Sequence, residues 1–123
     1  GKTLKFGAFL DSVIDRYSEL CIYAAILYMF FQQGHLWGVM LSFAAASGAV
    51  LVSYTRARAE ALGFEAKVGV MTRVERSIVM IVGLLFGIIL IALVIIAVLA
   101  HLTAILRMVT VWKQAKSRDP ELI

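Results

Sequence analysis

SIVMIVGLLFGIILIALVIIAVLAHLTAIL, residues 77–106, contains no Asp, Glu, Lys or Arg. One membrane-spanning helix needs roughly 20 apolar residues, so this stretch is too long for one straight crossing, yet it holds no polar turn to divide it. Charge placement around it decides how it folds. All 12 Lys and Arg of the chain fall in three blocks, 2–16, 56–76 and 107–118. A single crossing would set Arg107, Lys113, Lys116 and Arg118 opposite the other two blocks, against the preference of basic residues for the cytoplasmic side. A hairpin keeps the three blocks together. Its turn is expected at 87–90, between helices over 70–86 and 91–116.

Residues 20–55 are a second uncharged stretch, broken at Gln32-Gln33-Gly34-His35 into helices over 8–31 and 36–61. The chain has 123 residues, 62% hydrophobic and 16% charged, with a mean hydropathy of +0.92. That balance excludes an ordinary soluble domain. The expected fold is all-α: a polytopic membrane bundle of four transmembrane helices over 1–118 with a cytoplasmic tail at 119–123. Both termini face the cytoplasm, and every ionisable group except His35 and His101 gathers at one face. The opening Lys2, Leu4, Lys5 and Phe6 read as an interfacial helix rather than a secretory signal. The lone Cys21 lies within a span and reads as a small core residue. Ser42, Ala44, Ala45, Ala46, Ser47, Gly48 and Ala49 are small enough to let helices approach closely. His35 and His101 have no ligand-like neighbours. The net charge of +4 follows from the cytoplasmic clustering; it favours anionic lipid headgroups and is no argument for nucleic acid.

Two clusters carry chemistry. Gly7, Asp11 and Asp15 are spaced one helical turn apart, so two carboxylates and a bare patch of backbone share one face at the edge of the membrane. Like charges so placed repel, which suits a divalent metal or a cationic partner; acidic residues also favour a solvated first helical turn. In the second cluster Ser53, Arg56 and Glu60 share a face at the cytoplasmic end of the second helix, with Arg58 turned aside, and a short loop brings in Arg73 and Arg76. Guanidiniums converging at membrane depth are costly unless an anion joins them, and their planar fork matches phosphate. The competing reading is snorkelling arginines with Glu60 and Glu75 as partners. Arg107, in an otherwise apolar helix one turn after Thr103, adds to the case for a cavity.

Residues 7–16, Gly-Ala-Phe-Leu-Asp-Ser-Val-Ile-Asp-Arg, resemble the second half of the CDP-alcohol phosphatidyltransferase signature, D-x2-D-G-x2-A-R-x8-G-x3-D-x3-D. The first half, with two further metal-binding aspartates, would lie upstream; Asp119 is too far along to replace them. The resemblance therefore implies the C-terminal four helices of a six-helix enzyme, carrying half of its metal site. Ser53-Tyr54-Thr55-Arg56-Ala57-Arg58-Ala59-Glu60, then Arg73-Val74-Glu75-Arg76 and Arg107, are similar to the branch that uses inositol phosphate as acceptor in bacteria and archaea. Thr72 is a departure, since bacterial members often carry Glu there.

What the resemblance implies is specific. Asp11 and Asp15 would bind the metal, Mg2+ or Mn2+, and Asp15 would also serve as catalytic base. Gly7 would let the nucleotide approach the backbone, and Ser53, Arg56, Arg58, Arg73, Arg76 and Arg107 would surround the acceptor phosphate. The implied reaction moves a phosphatidyl-type group from a CDP-linked lipid donor to inositol phosphate and releases CMP. It would run at the cytoplasmic face of a prokaryotic plasma membrane, with membrane lipids, the two upstream helices and a second copy in a homodimer as partners. Another acceptor such as glycerol phosphate would keep the aspartates but has less need of the arginine block. A non-enzymatic membrane subunit or cation pathway built on Asp11 and Asp15 is the alternative of another class.

Overall fold

The structure, a computed structural model, describes residues 2–118 and is all-helical; the tail expected at 119–123, with Asp119, lies outside the described residues. Four helices follow one another: α1 (Lys2–Gln32), α2 (Leu36–Ala61), α3 (Arg73–Leu85) and α4 (Ile89–Arg118). α2 is central and packs on α1 and on α4, while α3 packs on α4. Because α2 and α4 run in the same direction, the α1–α2 and α3–α4 turns lie at one end of the bundle. The charged halves gather at the other.

The small-residue run on α2 acts as packing surface. Ser42, Ala45, Gly48 and Ala49 are buried; Ala45 and Ala49 cluster with Leu93, Ile96 and Ala97 of α4, and Gly48 meets Ala100. A methyl group added at Gly48 would lie 2.9 Å from Ala100 Cβ, so glycine is what permits this approach. Tyr23, Ile26 and Phe30 of α1 and Met80 of α3 complete the core. The break between α1 and α2 falls where the polar run places it: Gly34 takes a left-handed φ of 68°, and His35 caps α2, its Nδ1 accepting from the Gly38 amide at 2.8 Å. His101 is satisfied too, its Nε2 lying 3.0 Å from the Ala44 carbonyl.

Other expectations shift. The hairpin at 77–106 forms, but its turn is earlier, with Phe86 capping α3, Gly87 at a φ of 69° and α4 beginning at Ile89. α3 also starts later than residue 70, because Met71 is buried and its carbonyl accepts from Arg76 rather than entering a helix. At 13 residues, α3 is about 20 Å long, short of the roughly 30 Å hydrocarbon thickness. Two helices, α2 and α4, are long and apolar enough to cross a membrane. The separate interfacial helix is not observed: residues from Lys2 onward belong to α1, since nothing in that stretch breaks a helix. Cys21, expected in the core, is exposed on α1.

Candidate active site

Four helices supply the wall of one polar cavity of about 300 Å³ at the charged end of the bundle. α1 contributes Ser12 and Arg16; α2 contributes Ser53, Arg56 and Glu60; Thr72 leads Arg73 and Arg76 of α3; and Arg107 comes from α4. The helical repeat explains the selection on α2, where Ser53, Arg56 and Glu60 recur at three- and four-residue steps. Arg58, two residues past Arg56, is rotated to the far side. The structure therefore leaves Arg58 outside the cavity that Arg56, Arg73 and Arg76 line, beside Arg107 alone of that group. It lines an apolar groove with Tyr54, Leu62, Met108 and Trp112 instead.

The guanidiniums differ in what holds them. Arg76 and Arg107 are buried, 1% and 2% exposed, and protein engages three of the five N–H donors of Arg76 and two of those of Arg107. Arg76 meets Glu19 with Nε at 2.6 Å and Nη2 at 2.9 Å, and donates from Nη1 to the Met71 carbonyl at 2.9 Å. Arg107 donates from Nε to the Val68 carbonyl at 3.0 Å and from Nη1 to the Val52 carbonyl, so it ties the 62–72 loop and α2 to α4. Arg56 pairs with Glu60 at 3.1 Å, both nearly half exposed. Arg73 Nη2 lies 3.3 Å from Asp15 Oδ1. Arg16 has a buried Nε without a hydrogen-bond partner among the described residues.

Gly7, Asp11 and Asp15 do lie along one side of α1, with open space over Gly7. Asp11 is exposed, and Asp15 reaches the cavity through Arg73. Two carboxylates one turn apart fit part of the oxygen shell of a hard divalent cation. Among the described residues no group of three or more His, Cys, Asp or Glu could hold a metal, so further ligands would have to come from elsewhere. Beside the cavity, an apolar groove of about 420 Å³ runs between α1 and α2, lined by Phe9, Val13, Val50 and Tyr54. Ser12, Arg16, Ser53 and Ala57 line both.

Sequence reasoning missed Ser12, Arg16 and Glu19, and treated Thr72 only as a departure from a pattern. A signal existed for Glu19. It follows Asp15 by one turn and begins an otherwise uncharged run, where a carboxylate needs a partner.

No protein-family model matches the chain. The chain is 38% identical over 117 residues to the archaetidylinositol phosphate synthase of Methanothermobacter thermautotrophicus, an alignment covering 90% of this chain and 57% of that protein. It is 38% identical over 86 residues to the phosphatidylinositol phosphate synthase of Cutibacterium acnes, covering 68% of this chain and 41% of the relative. The phosphatidylinositol phosphate synthase of Streptomyces avermitilis is 34% identical over 134 aligned positions, covering 97% of this chain and 54% of the relative. The chain spans about half the length of the curated relatives it matches.

Proposed function

We propose that the chain, which is similar to the archaetidylinositol phosphate and phosphatidylinositol phosphate synthases, is part of a CDP-alcohol phosphatidyltransferase and forms the acceptor side of that enzyme. The enzyme transfers a phosphatidyl-type group from a CDP-linked lipid to inositol phosphate and releases CMP. One observation carries this reading: Arg16, Arg56, Arg73, Arg76 and Arg107 line a single cavity, and one of them touches Asp15.

Charge-assisted bonds from guanidinium to phosphate are among the strong ones, and this cavity is of the size expected for a small polar ligand. With the acceptor phosphate held by Arg56, Arg73, Arg76 and Arg107 and by the Ser53 hydroxyl, the inositol ring is directed toward Asp15. Asp15 takes the proton from the attacking hydroxyl as its oxygen bonds to the lipid-side phosphorus and the bond from that phosphorus to CMP breaks. A Mg2+ or Mn2+ ion held in part by Asp11 and Asp15 would neutralise charge on the phosphate oxygens. The open backbone at Gly7 leaves room for the nucleotide. The adjoining groove between α1 and α2 lets a donor react while its chains stay in the bilayer.

Membrane insertion with the cavity at the cytoplasmic face, four crossings here within a six-helix enzyme, and a homodimer belong to the same proposal. Support comes from α2 and α4, from exposed Phe43, Leu84, Ile91, Val98 and Leu102 around the bundle, and from the shared end of the basic blocks.

The test compares inositol phosphate with free inositol and glycerol phosphate as acceptors for the full-length enzyme and its Arg56→Gln and Arg107→Gln variants. Each variant raises the KM for inositol phosphate roughly ten- to a hundredfold and leaves the donor KM nearly unchanged. Equal use of free inositol by the unmodified enzyme, preference for glycerol phosphate, or a donor-side defect in both variants overturns the assignment.

A further inference from the structure

The Arg76 guanidinium carries five N–H groups, and the structure uses three of them. Nε and Nη2 grip the two oxygens of Glu19, and Nη1 donates to the Met71 carbonyl. One N–H on each Nη is left over, and Arg76 lines the cavity whereas Glu19 does not. The pair is nearly enclosed, with side chains 1% and 14% exposed, and it bridges α1 and α3, which share no extended packing. By contrast the Arg73–Asp15 pair is open to solvent, at 52% and 38%.

An enclosed guanidinium without a counter-ion is strongly disfavoured, and a long side chain free to change rotamer loses entropy each time it engages a ligand. Glu19 removes both costs before the ligand arrives. We propose that Glu19 is a positioning residue for the acceptor site: it holds Arg76 by one edge, so that the two remaining N–H groups face the acceptor phosphate, and it does not touch the phosphate itself. Its place on α1 also matters. Asp11, Asp15 and Glu19 recur at one-turn spacing, so the helix face that carries the base anchors the arginine across the cavity, and attack geometry and phosphate grip share one register. This inference rests on the acceptor reading above.

The rival is a strut that joins α1 to α3 and has no part in ligand binding. A double-variant cycle in the full-length enzyme separates the two, read as acceptor KM, donor KM, kcat and equilibrium binding of inositol phosphate without donor. Positioning predicts that Glu19→Gln weakens acceptor binding about tenfold, with donor KM and kcat little changed, and that Glu19→Asp recovers part of the loss. Adding Glu19→Gln to Arg76→Gln costs nothing further, because Glu19 acts only through Arg76.

The reciprocal exchange, Glu19→Arg with Arg76→Glu, keeps the ion pair and hence the strut, but removes the guanidinium from the cavity wall. It loses acceptor affinity at least as fully as Arg76→Gln. Normal acceptor binding in the exchanged enzyme, or full multiplication of the two single effects in the double variant, overturns the inference. If Glu19→Gln does not fold, Glu19→Asp decides: a raised acceptor KM with unchanged donor KM supports positioning, and an unchanged acceptor KM overturns it. Failure of the acceptor reading is distinguishable, since Arg56→Gln and Arg107→Gln would then leave the acceptor KM unchanged; failure of this inference alone leaves those two defects intact.

Discussion

Arg73 Nη2 lies 3.3 Å from Asp15 Oδ1, so the last acid of the Gly-x3-Asp-x3-Asp run on α1 meets the first residue of α3 at the edge of the arginine cavity. Both side chains are well exposed, 52% and 38%, and such pairs contribute at most about 1 kcal/mol to stability. Proximity to the cavity is what the contact provides.

Because that pair is exposed and adds little to stability, Asp15 can be changed without unfolding the protein. Asp15→Asn and Asp11→Asn in the full-length enzyme should each lower turnover roughly a thousandfold or more, while the detergent-solubilised protein elutes and melts as the unmodified one does. Turnover within a few-fold of normal in both variants would refute the roles given to these carboxylates. Chelation should likewise abolish activity, and added Mg2+ or Mn2+ should restore it.

Arg107 is expected to behave differently. It is buried, and its guanidinium donates to the Val68 and Val52 carbonyls; Arg107→Met strands the Val68 carbonyl at about 1 to 3 kcal/mol, whereas the Val52 carbonyl keeps the Thr55 hydroxyl. Thermal unfolding in detergent should show a clear loss of stability alongside the acceptor defect. Arg56→Met, whose Glu60 partner is nearly half exposed, should show the acceptor defect with little change in stability.

Gly48 tests the core independently of the site. Leucine there would drive its Cβ and branches into Ala100 and the His101 ring, and overpacking of this kind typically costs about 1 to 3 kcal/mol. Expression and melting temperature should both fall. An unchanged melting temperature would mean that α2 and α4 are not in the close contact described.

Topology can be read by labelling. In a cysteine-free background, needed because Cys21 is itself exposed, cysteines at Gln33 and Ile88 should react with an impermeant reagent from outside. Those at Gly63 and Ser117 should react only after the membrane is opened. Outside labelling at Ser117 would mean that 77–106 crosses once and that the hairpin is wrong.

The hairpin was legible because only one fold of 77–106 keeps three basic blocks on one side, and the α1–α2 break because Gln-Gln-Gly-His is polar and ends in a residue able to cap. Helix ends were less legible. α3 begins at Arg73 because Gly69, at a φ of 103°, seats the loop on Thr103 of α4 and because Met71 is buried, both contacts between residues far apart in the chain. Cys21 misled for a related reason: within a membrane an apolar helix is not buried all round, and sequence alone does not say which side faces lipid.

The site divides along the same line. Spacing within one helix is local, so the alignment of Asp11 with Asp15, and of Arg56 with Glu60, follows from 3.6 residues per turn and could be read directly. Which arginines converge depends on how α2, α3 and α4 are rotated against one another, and that rotation is set by small-residue contacts such as Gly48 on Ala100. The helical repeat already turned Arg58 aside from Arg56, but tertiary structure alone brought Arg16 into the cavity wall. It also paired Arg76 with Glu19 across a separation of 57 residues, because a buried guanidinium takes the carboxylate that packing sets beside it.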